Sequence, residues 1–87
     1  IWFEGLIRGD LAQYDRARAL MRQALDLQPL NRDWRLVYIS RLMTWGCYDE
    51  AHDVAIVGES YFPKYSTFHG LARMSLEASS VDKLEKR

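Results

Sequence analysis

The sequence repeats itself at an offset of 34 residues, and this period constrains the fold more than any other feature. Four identities occur at this single offset, namely Tyr14 with Tyr48, Asp15 with Asp49, Ala17 with Ala51, and Pro29 with Pro63. A small residue is matched as well, since Ala24 corresponds to Gly58. A shared helical periodicity alone would match apolar positions but not a proline. The chain is therefore predicted to be a repeat array whose function is carried by a surface.

Each repeat unit is predicted to contain two helices. Between residues 14 and 29 the apolar side chains recur at helical spacing until the proline ends the helix, and residues 48 to 63 follow the same pattern. Asn31 is a suitable N-cap for the helix between these segments, and Gly46 ends that helix. The predicted helices span about residues 1–9, 12–28, 32–45, 48–62 and 66–79.

Small residues are placed where the helices of a unit would approach each other. Gly58 lies within a predicted helix, where glycine costs about 1 kcal/mol relative to alanine. Such a cost is typical of a position where another backbone comes close. We therefore expect four positions to be buried between helices: Ala17, Ala24, Ala51 and Gly58.

A 34-residue helix–turn–helix unit with Gly46, Tyr48 and Ala51 at its turn and Pro63 at its end resembles the tetratricopeptide repeat. The resemblance covers nearly the whole chain. It implies an all-α fold of about five helices, in which antiparallel hairpins stack as a short right-handed solenoid. The implied repeat domain spans residues 1–79, with a partial repeat at 1–30, a full repeat at 31–63, a capping helix at 64–79, and a polar tail at 80–87. This tail either extends as a short helix from Ser80 or frays.

Two features depart from the family pattern. Large residues stand at Tyr38 and Ile39, where the family has a small residue in the middle of the first helix of a repeat. The first turn contains the sequence GDLAQYD, which begins at Gly9 and is predicted to be about three residues longer than usual. Gly9 and Asp10 are expected to break the first helix.

Members of this family mostly bind peptides or helices in a concave groove, so the resemblance implies a protein-interaction module or scaffold and not an enzyme. The first helix of each repeat lines that groove. The groove positions implied here are Asp33, Leu36, Ser40, Met43, Thr67, Gly70 and Met74. Without a lysine or asparagine this set disfavours capture of a C-terminal carboxylate and favours a mixed apolar groove. For Leu36, Met43 and Met74 the alternative interpretation, which we favour, is ordinary core packing.

Several classes of function are disfavoured by composition. Twelve basic residues balance twelve acidic ones, whereas nucleic-acid binding draws on a basic excess. The related helical repeats that read RNA have a 35-residue unit. Cys47 and His52 lie near one turn, but no third group is evident to orient a base, and a metal site needs more ligands. We expect no enzymatic activity, no cofactor, no metal and no direct membrane insertion of this fragment.

Two hypotheses remain for the role of the chain. It is an interaction module for a protein or peptide partner, or a non-catalytic appendage of a larger bacterial enzyme, for instance a membrane glycan polymerase or ligase. A homo-oligomer through the apolar N-terminal end would involve Trp2, Phe3, Leu6 and Ile7. The compartment is left open between the cytoplasm, which we favour, and the periplasm.

Overall fold

A computed structural model describes residues 1–85 as five α-helices joined by short turns, with no strand in this part of the chain. The helices are α1 (Trp2–Asp10), α2 (Tyr14–Leu27), α3 (Arg32–Thr44), α4 (Tyr48–Tyr61) and α5 (Ser66–Glu85). The prediction of an all-α fold of about five helices is therefore confirmed. Lys86 and Arg87 lie outside the described residues. None of the described helices is long and apolar enough to cross a membrane.

The helix boundaries follow the 34-residue period. Helices α2 and α4 each contain 14 residues, and both their first and their last residues are 34 positions apart. Helices α1 and α3 end 34 positions apart, and α3 and α5 begin 34 positions apart. Helix α1 packs against α2, and α4 packs against α5. This packing of adjacent helices is consistent with a helical repeat-like arrangement.

The turn between α1 and α2 is as short as the one between α3 and α4. The sequence predicted a longer first turn, and this was wrong, whereas the predicted end of the first helix at Gly9 and Asp10 lies within one residue of the observed end. Gly9 is buried within α1, which continues to Asp10, so residues 11–13 alone form the turn. Residues 45–47 form the second turn. Glycine permits a break but does not impose one, and the buried Gly9 remains helical.

Both turns close with the same backbone geometry. The N–H of Gln13 donates to the carbonyl of Arg8, and the N–H of Cys47 donates to the carbonyl of Leu42, each over 2.8 Å. The residue before each donor has a positive φ, 59° at Ala12 and 77° at Gly46. This left-handed conformation is easy for glycine and costs alanine roughly 1 kcal/mol.

The chain divides into two compact units, Ile1–Trp34 and Arg35–Arg87, with the boundary inside α3. In the first unit α1 approaches α2 closely at Gly5. A Cβ atom added to Gly5 would lie 2.6 Å from the Cγ of Met21 and 3.3 Å from the carbonyl oxygen of Ala17. Glycine at this position therefore allows the two helices to pack.

In the second unit α4 packs closely against α5 at Gly58. A Cβ atom there would lie 2.7 Å from the Cδ of Arg35 and 2.7 Å from the ring of Phe68. Ala17, Ala24, Ala51 and Gly58 are all buried, which confirms the sequence prediction for the small positions.

The large residues that depart from the family pattern are accommodated in the core. Tyr38 and Ile39 are both fully buried. The hydroxyl of Tyr38 donates a hydrogen bond to the Oε1 of Glu50 over 2.7 Å, which joins α3 to α4. A buried hydroxyl requires such a partner, because leaving it unsatisfied would cost about 1–3 kcal/mol.

Helix α5 continues to Glu85, beyond the span of about residues 66–79 that was predicted for this helix. Of the two alternatives for the tail, a helical extension from Ser80 is the one observed up to Glu85, as a continuation of α5. Ser79 is 5% exposed and its hydroxyl donates to the carboxylate of Asp49 in α4, while the ammonium of Lys83 lies 3.6 Å from the same carboxylate. These contacts with α4 hold the polar segment against the fold.

Candidate docking groove

A groove in the second unit begins at the turn between α3 and α4. Met43 lies in the last turn of α3 and Tyr48 begins α4. The positive φ of Gly46 reverses the chain between them, so both side chains line the same groove. Met43 and Tyr48 are each partly exposed.

The opposite wall of the groove is one face of α5. Met74, Ala78 and Val81 lie at positions i, i+4 and i+7 of this helix, and this spacing places them on the same side. Met74 is 57% exposed and Val81 is 53% exposed. These side chains form an apolar strip along the surface of α5.

Acidic residues accompany this apolar face. Glu77, Asp82 and Glu85 also line the groove, which has a volume of about 510 Å³. No lysine or arginine lines it within the described residues. The walls of the groove thus combine apolar side chains with carboxylates, and the groove is suited to a ligand that is partly apolar and partly cationic.

Asp49 fixes the part of α5 that carries the acidic residues. The hydrogen bond from Ser79, followed by the charge of Lys83, lowers the pKa of Asp49 below its usual value of 3.8. The carboxylate lies in the first turn of α4, where a negative charge is also favourable to the helix dipole. Asp49 is therefore an anchor for the last turns of α5, although it does not itself line the groove.

Two of the seven predicted groove residues, Met43 and Met74, line the groove together. Leu36 is half-buried on α3, and Ser40, Thr67 and Gly70 are exposed elsewhere in the second unit. Asp33 is exposed in the first turn of α3 and belongs to the first unit. A binding role for these residues stays a prediction.

Six groove residues were missed from the sequence: Tyr48, Glu77, Ala78, Val81, Asp82 and Glu85. Glu77 lies 34 positions after Met43, so applying the 34-residue offset to Met43 would have identified Glu77 as a groove residue. Val81, Asp82 and Glu85 fall in the segment that was predicted to be a tail. Tyr48 was interpreted only as a turn residue.

The side chains considered for chemistry have structural contacts. The Nδ1 of His52 lies 2.8 Å from the carbonyl oxygen of Ala72, which joins α4 to α5. The thiol of Cys47 is half-buried and lies 4.0 Å from the carbonyl oxygen of Trp45. Among residues 1–85 no group of three or more His, Cys, Asp and Glu side chains could hold a metal ion.

The N-terminal end presents a different apolar surface. Phe3 and Ile7 are 73% and 59% exposed on α1. Trp2, which was expected to join them, is instead buried, because its ring stacks on Trp34 with centroids 5.0 Å apart. Leu6 is half-buried. Self-association through Phe3 and Ile7 stays a prediction.

Comparisons with known proteins do not identify a relative. No family model matches the chain, and neither the curated proteins nor the solved structures compared with it give a significant match.

Proposed function

We propose that this chain is a protein-interaction module of tetratricopeptide-repeat type, which binds a peptide or helix of another protein and carries out no chemistry. The observation that carries the proposal is the groove between α3 and α5, whose walls expose Met43 and Met74. Methionine side chains are flexible and polarisable, and they suit surfaces that adapt to a partner.

The repeat-like construction supports the same proposal. The 34-residue period extends from the sequence to the helix boundaries, and the small residues of the period are buried. Stacked helical hairpins that contact only their neighbours form extended concave surfaces, which repeat proteins use for binding. In this proposal α3 and α5 are the first helices of successive repeats and line that surface.

The three methionines of the chain provide a direct test. Met43 and Met74 line the groove, whereas Met21 is fully buried in the first unit and serves as an internal control. Peptides are selected from a random library against the immobilised chain and added to protein with ¹³C-labelled methionine methyl groups. We expect bound peptides to shift the methyl signals of Met43 and Met74 and to leave that of Met21 in place.

A pair of substitutions on α5 separates the groove from general surface effects. Met74→Glu places a charge in the groove and should weaken peptide binding at least tenfold, because a buried unpaired charge opposes association. Leu76→Glu is the matched control, since Leu76 is 53% exposed on the same helix but does not line the groove. Equal binding by the two variants, or peptides that leave Met43 and Met74 unshifted, would refute the proposal.

A further inference from the structure

We infer that the partner of this groove is a basic amphipathic helix. Its apolar side chains contact the apolar walls of the groove, and its lysines or arginines contact the carboxylates of Glu77 and Glu85. The inference rests on the proposed function, because it specifies the chemistry of the ligand at the same groove. It is drawn from the charge of the groove and from the spacing of the residues on α5.

The arrangement of side chains on α5 separates apolar from acidic positions. At 100° per residue, Met74, Val81 and Ala78 fall within about 60° of one another and form a central stripe. Glu77 falls on one flank of this stripe and Asp82 on the other, while Glu85 continues the stripe at its end. A cationic side chain of the ligand would therefore meet Glu77 on one flank of the stripe or Glu85 at its end.

The length of the stripe favours a helical ligand. Met74 to Glu85 spans 11 steps along α5, or roughly 16 Å at 1.5 Å per residue. This is about three helical turns, over which a second helix would present its own residues at i, i+3 or i+4, and i+7. Helices recognise one another in grooves through this spacing.

Glu77 and Glu85 are both exposed on α5, and the ammonium of Lys83 lies 3.6 Å from the carboxylate of Asp49, which does not line the groove. Opposite charges across an interface increase the association rate and select the partner, and salt screens this contribution. Binding of a basic helix should consequently weaken as ionic strength rises.

Three 18-residue peptides test the inference by fluorescence anisotropy. The first has leucines on one helical face and lysines on the remaining positions. The second has glutamate in place of every lysine, and the third has the composition of the first in an order without an apolar face. We expect the first peptide to bind at least tenfold more tightly than either of the others.

Substitutions in the protein then locate the charge effect. Glu77→Gln with Glu85→Gln should weaken binding of the lysine peptide about fivefold at low salt, since each exposed ion pair contributes modestly. Glu4→Gln with Asp53→Asn is the matched control. These substitutions remove the same charge, and both residues are exposed and lie outside the groove. This control should bind within twofold of the unmodified chain.

The outcomes distinguish failure of the inference from failure of the proposed function. If the lysine and glutamate peptides bind equally and both shift the methyl signals of Met43 and Met74, the groove binds helices but the basic partner is refuted. If the lysine peptide leaves those signals unshifted, or if the two double variants weaken binding equally, the inference is refuted as well. Library peptides that bind away from both methionines would refute the proposed function itself.

Discussion

At the scale of single residues, two glycines inside helices show how surroundings decide the role of a residue. Gly58 is buried against Arg35 and Phe68, whereas a Cβ atom added to Gly70 would meet nothing within 4 Å. Glycine disfavours a helix by the same amount at both positions. At Gly58 the close approach of α5 offsets that cost, and at Gly70 no neighbour does.

We predict opposite effects for alanine at these positions. Gly58→Ala should reduce the free energy of unfolding by about 1–3 kcal/mol, because the ring of the fully buried Phe68 cannot move away easily. Gly70→Ala should increase it by up to about 1 kcal/mol through helix propensity. Urea denaturation followed by circular dichroism measures both, and a Gly58→Ala protein more stable than the unmodified chain would contradict the packing described here.

At the scale of helices, the last turns of α5 depend on contacts with α4. Ser79 and Lys83 both contact the Asp49 carboxylate, and together they lower its pKa below 3.8. A carboxyl group whose pKa is lowered on folding stabilises the folded state above its unfolded pKa, and this contribution is lost as the pH falls through its folded pKa. The contact between α4 and α5 should thus weaken in acid.

This pH dependence can be observed locally. We predict that the ¹³Cα chemical shifts of residues 79–85 move towards unfolded values as the pH falls below about 3.8, because protonated Asp49 loses its attraction for Lys83. In an Asp49→Asn protein these shifts should already lie closer to unfolded values at pH 6 and should change less in acid. Asp53→Asn, which alters an exposed acid on the same helix, is the control and should behave as the unmodified chain.

The position of α5 also affects the groove, since Val81, Asp82 and Glu85 lie in the same turns that Asp49 anchors. The contacts of Ser79 and Lys83 with Asp49 lie on one side of α5, and they hold in place the groove side chains on a different side of the same helix. The residues that line the groove therefore differ from Asp49, Ser79 and Lys83, which hold this part of α5 in position.

At the scale of the whole molecule, the chain contains two compact units with their own buried side chains. Met21 is fully buried in Ile1–Trp34, and Phe68 is fully buried in Arg35–Arg87. In repeat proteins each part is stabilised mainly by its immediate neighbours, so local damage remains partly local.

We predict that a core truncation loosens its own unit most. Met21→Ala should cost about 2–5 kcal/mol and should lower amide hydrogen-exchange protection in residues 17–25 more than in residues 54–58. Phe68→Ala is the reciprocal variant and should produce the opposite ranking. A uniform loss of protection across the chain in both variants would indicate instead that the two units unfold as one.

The sequence alone determined the features that depend on local chemistry. The 34-residue period, the helix starts at Tyr48 and Ser66, and the burial of Ala17, Ala51 and Gly58 could all be predicted from it. These features follow from turn residues, helical spacing and side-chain size, which act over a few residues and therefore appear in the sequence itself.

The tertiary structure decided the features that depend on residues distant in sequence. Ser79 is polar and was placed at the end of a helix, but its hydrogen bond with Asp49, 30 residues earlier, extends α5 to Glu85 and adds acids to the groove. Trp2 is buried because Trp34 stacks on it. Such contacts form only when the chain has folded, because their free energy comes from groups that no local pattern brings together.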